Sequence, residues 1–368
     1  MQQMTNQMNR VHNFSAGPAA LPLEVLLQVK EDLPNYHGEG VTVMEVSHRG
    51  PLFANVFEQA QADLRELMGI SDDYEVLFLQ GGAQTQFALI PMNLGIDGKT
   101  AGYVDTGHWS KLAIKEAEKV GSTRVLASSQ DTNYTYVPAF DTWGSTEDLS
   151  YLHITPNETI HGVEYFNFPQ GLSKDVPLIG DMSSTILSRP MDVNNFGLIY
   201  AGAQKNIGPA GVTLVIIRKD LLARSADKLP NMLSYKSHAA KGSMYNTPPT
   251  FAIYLSGLVF KWLKKQGGLD AMAAINKAKA DKLYACIDES QFFNNPVEKE
   301  FRSLMNVPFT LADKSQEARF LSEAAAQGLS GLKGHKAVGG MRASIYNAVA
   351  PESVDALVAF MKEFEKNL

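Results

Sequence analysis

The chain reads as an α/β protein: a mostly parallel sheet flanked by helices, followed by a smaller α+β region. Three observations lead there. From Leu23 to Gln266, short apolar runs alternate with amphipathic ones. The runs 75–80, 177–181 and 198–202 are almost wholly apolar, as parallel strands buried on both faces are. Each stops at glycines or polar residues, and open sheets of this kind bind ligands beyond the carboxyl ends of their strands.

The elements follow in order. Asn13-Phe14-Ser15-Ala16-Gly17-Pro18 is a turn, and Pro22 opens a helix over 23–33 with Val25, Leu26 and Val29 inward. Residues 43–46 form a short extended run that ends in a loop carrying His48 and Arg49 side by side. A helix over 54–68 is amphipathic through Val56, Ala60, Leu64 and Leu67. The strand 75–80 then meets Gly81-Gly82, and a helix starts at Ala83. Bare backbone N–H groups at the positive end of a helix can hold an anion such as a phosphate. The third glycine of a dinucleotide fingerprint is absent.

Alternation continues with a strand over 101–106, a loop over 107–110 that holds Trp109, and a helix over 111–120. A short strand at 123–127 follows. The run 152–155 leads into Pro156-Asn157-Glu158-Thr159, and the strand 177–184 finishes on Asp181 and two serines. Residues 198–202 enter a loop broken by Gly208, Pro209 and Gly211, and 212–217 is a further buried strand. Lys205 therefore sits at a strand end between apolar segments. Burial disfavours a charged amine, and a neutral amine is what attack on an aldehyde requires. A lone lysine is ordinarily a solvated surface charge. Here Gly82, Trp109, Thr159, Asp181 and Lys205 all fall at strand ends on one rim of the sheet.

After a long helix over 250–266 the texture changes. A lysine- and alanine-rich helix spans 269–288, a strand region 301–311, a helix 315–327, a strand 339–346 and a terminal helix 351–368. At 368 residues the chain is long for one core. We divide it into a large cofactor-binding α/β domain over 20–265 and a small α+β domain formed by 1–19 and 266–368. The net charge of −6 argues against nucleic acid as a partner. No apolar run reaches membrane-spanning length, and the polar tail 1–10 lacks the apolar core of a signal peptide. One cysteine, Cys286, allows no internal disulfide and fits a reducing cytoplasm. No histidine has ligand spacing to a second His or Cys, so no metal site is expected.

The blocks Asn13-Phe14-Ser15-Ala16-Gly17-Pro18-Ala19, Val43-Met44-Glu45-Val46-Ser47-His48-Arg49-Gly50 and Asp181-Met182-Ser183-Ser184 form a pattern. The stretch from Tyr200 to Gly211, Gly242-Ser243-Met244-Tyr245-Asn246-Thr247-Pro248-Pro249-Thr250 and Gly339-Gly340-Met341-Arg342-Ala343-Ser344 complete it. In this order, over nearly the whole chain from Asn13, they resemble the phosphoserine aminotransferase family, among the class V pyridoxal-phosphate enzymes of fold type I. The resemblance implies a seven-stranded type of sheet and pyridoxal 5′-phosphate as cofactor. It also implies a homodimer with shared active sites. The implied reaction is a ping-pong amino transfer from glutamate to 3-phosphohydroxypyruvate, giving O-phosphoserine and 2-oxoglutarate. That is a step of serine biosynthesis and, in some relatives, of vitamin B6 synthesis.

Residue by residue, the resemblance makes Lys205 the lysine that bonds to the cofactor aldehyde and Asp181 the carboxylate facing the pyridine nitrogen. Trp109 resembles the aromatic stacked on the ring, and Thr159 the threonine near its phenolic oxygen. Ala83, Gln84 and Gln204 match contacts to the cofactor phosphate, and Asn246 and Thr247 match contacts from the neighbouring subunit. Arg342 matches the clamp for the substrate α-carboxylate. His48 and Arg49 match a pair that meets the distal anion of the substrate, with His335 on the same side and Ala16 contacting substrate through its backbone. Many members carry arginine where this chain has Gln84 and Lys336, and fewer guanidinium forks weaken bidentate phosphate recognition. Alternatives are another class V enzyme, such as an alanine–glyoxylate-type aminotransferase or a cysteine-desulfurase-like lyase, or a non-catalytic cofactor binder. A desulfurase needs a mobile cysteine, and Cys286 lies in a predicted helix.

Overall fold

The computed structural model describes residues 10–368; except for Arg10, the polar tail lies outside the described residues. Helix α1 (Leu23–Asp32) starts at the Pro22 N-cap, and α2 (Pro51–Met68) has proline in its first turn and Gly69 as a left-handed C-cap. Strand β1 (Tyr74–Gly81) leads into α3 (Ala83–Leu94), then β2 (Thr100–Asp105), α4 (His108–Ala117) and β3 (Thr123–Ser128). The strands β4 (Leu149–Ile154), β5 (Leu178–Asp181), β6 (Leu198–Gly202) and β7 (Gly211–Arg218) complete the large sheet.

Its order is β1-β7-β6-β5-β4-β2-β3. Strand β7 runs antiparallel to both neighbours, and the other pairings are parallel. The expected seven-stranded, mostly parallel sheet is therefore present. Every residue of β4, β5 and β6 is buried, which is why their sequences are near-continuous apolar runs. One core forms where Phe53, Phe57, Leu64, Val259 and Phe260 pack on one side of the sheet. Another forms where Phe87, Ile90, Ala113 and Tyr235 pack with Leu77, Tyr103 and Tyr200.

Beyond α5 (Thr250–Lys265) and α6 (Gly268–Glu289), the strands β8 (Phe293–Asn294), β9 (Asn306–Leu311) and β10 (Met341–Ser344) form an antiparallel sheet. Helices α7 (Glu317–Ala326) and α8 (Pro351–Lys366) cover it. Phe14 joins the core under this small sheet, and His12 and Asn13 pair in parallel with Leu329 and Ser330. Helix α6 runs through two cores: Leu269 and Met272 pack with the large sheet, while Ala280, Leu283 and Ile287 pack with the small one.

Three local expectations fail. Residues 43–46 are not extended but turn, with the Glu45 N–H donating to Thr42 O at 2.9 Å. The strand expected over 301–311 starts only at Asn306. His108, Trp109 and Ser110 are not loop residues but the first turn of α4. The Ser110 hydroxyl accepts from the Thr106 and Gly107 N–H groups at 3.0 and 2.9 Å, and the Glu158 carboxylate accepts from those of Trp109 and Ser110 at 3.1 and 2.9 Å. Side-chain capping from a segment about fifty residues away starts the helix early. Among the described residues no helix is long and apolar enough to cross a membrane, and no cluster of three or more His, Cys, Asp or Glu residues could hold a metal.

Candidate active site

A cavity of ≈ 310 Å³ opens at the carboxyl ends of the parallel strands. Its walls include Gly82, Ala83 and Gln84 from the β1–α3 turn, Trp109 from α4, Thr159, Asp181 at the end of β5, and Gln204 and Lys205 after β6. Seven candidates chosen from sequence thus share one space: Ala83, Gln84, Trp109, Thr159, Asp181, Gln204 and Lys205. Adjacent strands carry the last of these in, since Asp181 is the register partner of Tyr200. Sequence reasoning did not single out Thr155, Asn157, Ser183 and Ser184, which also line the cavity.

The Lys205 Nζ donates to Thr159 Oγ1 at 2.7 Å and lies 5.9 Å from the centre of the Trp109 ring. Burial pulls its pKa down to about 8. Asp181 and Glu158 oppose that pull, and Arg342 adds to it. The N-terminal segment closes over this lysine: the Ala19 N–H donates to Gln204 O at 2.9 Å, and a Cβ on Gly17 would touch the Lys205 side chain at 3.5 Å. Gly202 is required for a different reason. A Cβ there would stand 2.6 Å from Gln204 Oε1, so only glycine lets that amide lie against the strand.

Asp181 is buried, and burial raises its carboxyl above the usual range. Two donors from Ser183, the hydroxyl at 2.6 Å and the N–H at 3.0 Å, favour the anion instead, as does the nearby Lys205 charge. Glu158, a residue the sequence did not mark, is fully buried under α4, and burial pushes its carboxyl up to about 7. The indole N–H of Trp109 and Nε of Arg342 are buried without hydrogen-bond partners.

Arg342, half-buried on β10, donates from Nη1 to Thr159 O at 3.3 Å, which brings it beside the threonine that holds Lys205. Ala16 is close by; its carbonyl accepts from the Tyr346 hydroxyl at 2.9 Å. The His335 ring is 5.2 Å from that of His108. Four candidates are not brought to this cavity. His48 and Arg49 sit in the turns before α2, Arg49 exposed and His48 with its buried Nε2 unpartnered. Asn246 and Thr247 lie against β1. There Asn246 lines a separate cavity of ≈ 60 Å³ and Thr247 O accepts from the Gln80 amide. Cys286 is buried in α6 among small-sheet residues, and burial raises its thiol pKa, which fits poorly with a mobile nucleophile.

Comparison with known proteins places this geometry. Residues 11–357 match the family model described as aminotransferase class-V. The phosphoserine aminotransferase of Hahella chejuensis is 56% identical over 356 residues, covering 97% of this chain and 98% of that protein. The solved phosphoserine aminotransferase of Bacillus circulans subsp. alkalophilus superposes with a TM-score of 0.96 at 50% identity, covering 98% and 99% of the two chains. The Trichomonas vaginalis phosphoserine aminotransferase, solved with pyridoxal phosphate bound, superposes with a TM-score of 0.91 at 42% identity, covering 96% and 100%. The chain belongs to the class-V aminotransferases, and within them to the phosphoserine aminotransferase family.

Proposed function

We propose that this protein is a phosphoserine aminotransferase in which the cavity at the strand ends holds pyridoxal 5′-phosphate. The residues present fit that group. A cavity of ≈ 310 Å³ is at the lower end of the range for small-molecule sites, about 300–1,000 Å³. It joins a low-pKa lysine, a buried carboxyl and a helix N-terminus, which match an aldehyde, a ring nitrogen and a phosphate in turn. When bound, the cofactor supplies an aldehyde that bonds to amines and a protonated ring that takes up the electron pair left when the α-proton departs.

The chain's own residues supply the rest. Lys205 Nζ, steered by Thr159 Oγ1, is the base that removes the substrate α-proton and, once protonated, the acid that returns it. Asp181 holds the ring nitrogen's proton; its anionic form is favoured by Ser183 and gains further from that partner. Trp109 offers its indole face over the lysine. The N–H groups of Ala83 and Gln84, with the Gln204 amide, bind the phosphate. Arg342 grips the α-carboxylate, and its unpartnered Nε leaves a donor free for it. Ala16 lines the substrate through its backbone, and His335 lies towards the distal anion.

His48, Arg49, Asn246 and Thr247 lie off their own chain's cavity, and a second copy is the natural recipient of them. We therefore read the active enzyme as a homodimer with shared sites, symmetric dimers being the commonest assembly. The substrates on this reading are glutamate and 3-phosphohydroxypyruvate, with phosphoserine and 2-oxoglutarate as products. The setting is the cytoplasm, where a lone thiol stays reduced. A lysine amine held 2.7 Å from a threonine hydroxyl, in one cavity with a buried carboxyl, carries the proposal.

Its test compares phosphoserine, serine and aspartate as amino donors to 2-oxoglutarate. A site with buried groups built for a distal phosphate leaves them unpaired with serine. Phosphoserine is expected to exceed serine by about 100-fold or more in kcat/KM. Equal efficiencies for the two donors would remove the phosphate from the assignment.

A further inference from the structure

Beside the cavity, three imidazoles from three separate segments come together. His108 opens α4, and its ring centre is 5.2 Å from that of His335 and 5.4 Å from that of Trp109. His161, in the turn after Thr159, has its Nδ1 only 2.7 Å from where a Cβ on Gly107 would stand, so it abuts the residue before His108. Two lysines face the same group. Lys336 follows His335, and Lys111 lies one turn along α4 with its amine 5.0 Å from the Tyr134 ring centre; that ring packs 4.8 Å from His161. Arg342 stands next to His335, reaching Thr159 O.

The cations of this region have no ion-pair partner. Among the described residues, neither Lys111, Lys115, Lys336 nor Arg342 is paired with a carboxylate. Burial and mutual repulsion keep the imidazoles neutral: His108 is pulled down by burial, then by His335, Lys115, Lys336 and Lys111. His335 is pulled down by burial, Arg342 and Lys336; His161 falls to about 4 through burial, His108, Lys111 and His335. The nearby carboxylates are engaged elsewhere: Glu158 is turned under α4, where it accepts the N–H groups of Trp109 and Ser110, and Asp105 accepts from the hydroxyls of Tyr134, Ser110 and Ser128. An anion of charge −2 entering this group would relieve the repulsion and let imidazoles become charged donors.

We propose that His108, packed on His335, is a ligand for the distal phosphate monoester of the substrate and sets the preference for that group over a distal carboxylate. The proposal rests on the phosphoserine reading and names the residue through which this chain selects its substrate. A phosphate presents three terminal oxygens to donors spread over His108, His335 and Lys336, where a carboxylate presents two.

The holoenzyme and its His108→Phe variant, which keeps a ring and loses both donors, test this in two measurements. Steady-state kinetics with phosphoserine and with glutamate should show kcat/KM for phosphoserine falling about tenfold or more, through KM, while glutamate changes by less than about threefold. Calorimetric titration with inorganic phosphate should show a matching loss of affinity. If His108→Phe does not fold, His108→Asn, whose shorter amide cannot reach the position of the imidazole Nε2, carries the same expectation. An unchanged phosphoserine-to-glutamate ratio and unchanged phosphate affinity would overturn the role given to His108 alone. Wild-type enzyme that uses serine as well as phosphoserine would instead overturn the phosphoserine reading.

Discussion

The floor of the cavity and the segments around residues 48 and 246 are built differently. Asp181 and Lys205 are placed by adjacent strands of one sheet and Thr159 by the short hairpin that follows β4, and each has a partner inside the chain: Thr159 for the lysine, Ser183 for the carboxyl. His48 and Arg49 sit in turns, one exposed and one with an unpartnered nitrogen, and Asn246 faces a different cavity. The difference separates groups that a single chain can orient from groups that need something outside it. Chemistry at the cofactor belongs to the first class. On the present reading, recognition of the substrate's far end draws on both, joining His108 and His335 of one chain to His48 and Arg49 of another.

Mixing variants breaks or sustains that division most sharply. Lys205→Ala removes the base and is expected to lower turnover by about 10³-fold or more. Arg49→Ala removes a distal-anion group and should lower kcat/KM for phosphoserine strongly. If each site joins Lys205 of one chain to Arg49 of another, a dimer with one variant of each kind keeps one intact site. Unfolding and refolding an equal mixture then yields about a quarter of wild-type activity from two poorly active parents. Activity no higher than the mean of the parents would place both residues in the same chain's site and end the shared-site reading.

The same contrast governs what the sequence could convey. The strand carrying Asp181 and the strand before Lys205 are legible because burial on both faces leaves few polar residues in a parallel strand. A break in that run therefore marks the rim. The sequence around Trp109 reads as a loop, because the carboxylate that caps its helix is Glu158, far away in the chain. Residues 43–46 read as a short extended run, yet a local turn bond bends them. Lys279 was hidden inside a lysine-rich helix, where nothing local distinguishes a buried amine from a solvated one. The structure places it at the centre of the small sheet's attachment.

Lys279 sharpens the comparison from the Arg342 side. Its Nζ donates to Ile345 O, Tyr346 O and Val349 O at 2.9, 2.8 and 3.0 Å, immediately after the strand that bears Arg342. Burial pulls its pKa down to about 7, but three acceptors at once are partners that only the ammonium can fill. Lys279→Met takes the donor from Ile345 O and Val349 O, while Tyr346 O keeps the Val349 N–H at 2.9 Å, and is expected to cost about 2–4 kcal/mol in urea unfolding. The same variant should raise KM for glutamate through the displaced Arg342 and leave cofactor capture by Lys205 nearly unchanged. A loss below about 0.5 kcal/mol would show that water or a local shift satisfies those carbonyls.

The smallest expected effect is also the most direct reading of the cavity's electrostatics. An amine attacks an aldehyde only when neutral, and the Lys205 amine is neutral above its pKa of about 8. Uptake of pyridoxal phosphate by the apoprotein, trapped by borohydride reduction, should therefore quicken as pH rises. The gain is about tenfold from pH 6 to 7 and flattens above about 8, instead of climbing to the ordinary lysine value near 10.4. The neighbours fix the sign of two shifts. Asp181 raises the lysine's pKa, so Asp181→Asn moves the profile to lower pH; Arg342 lowers it, so Arg342→Gln moves the profile to higher pH. Opposite displacements from variants on the large sheet and on the small one would show that both bear on a single amine. A profile that stays put in both would mean that burial alone sets the reactivity of Lys205 and that Arg342 acts only on the substrate.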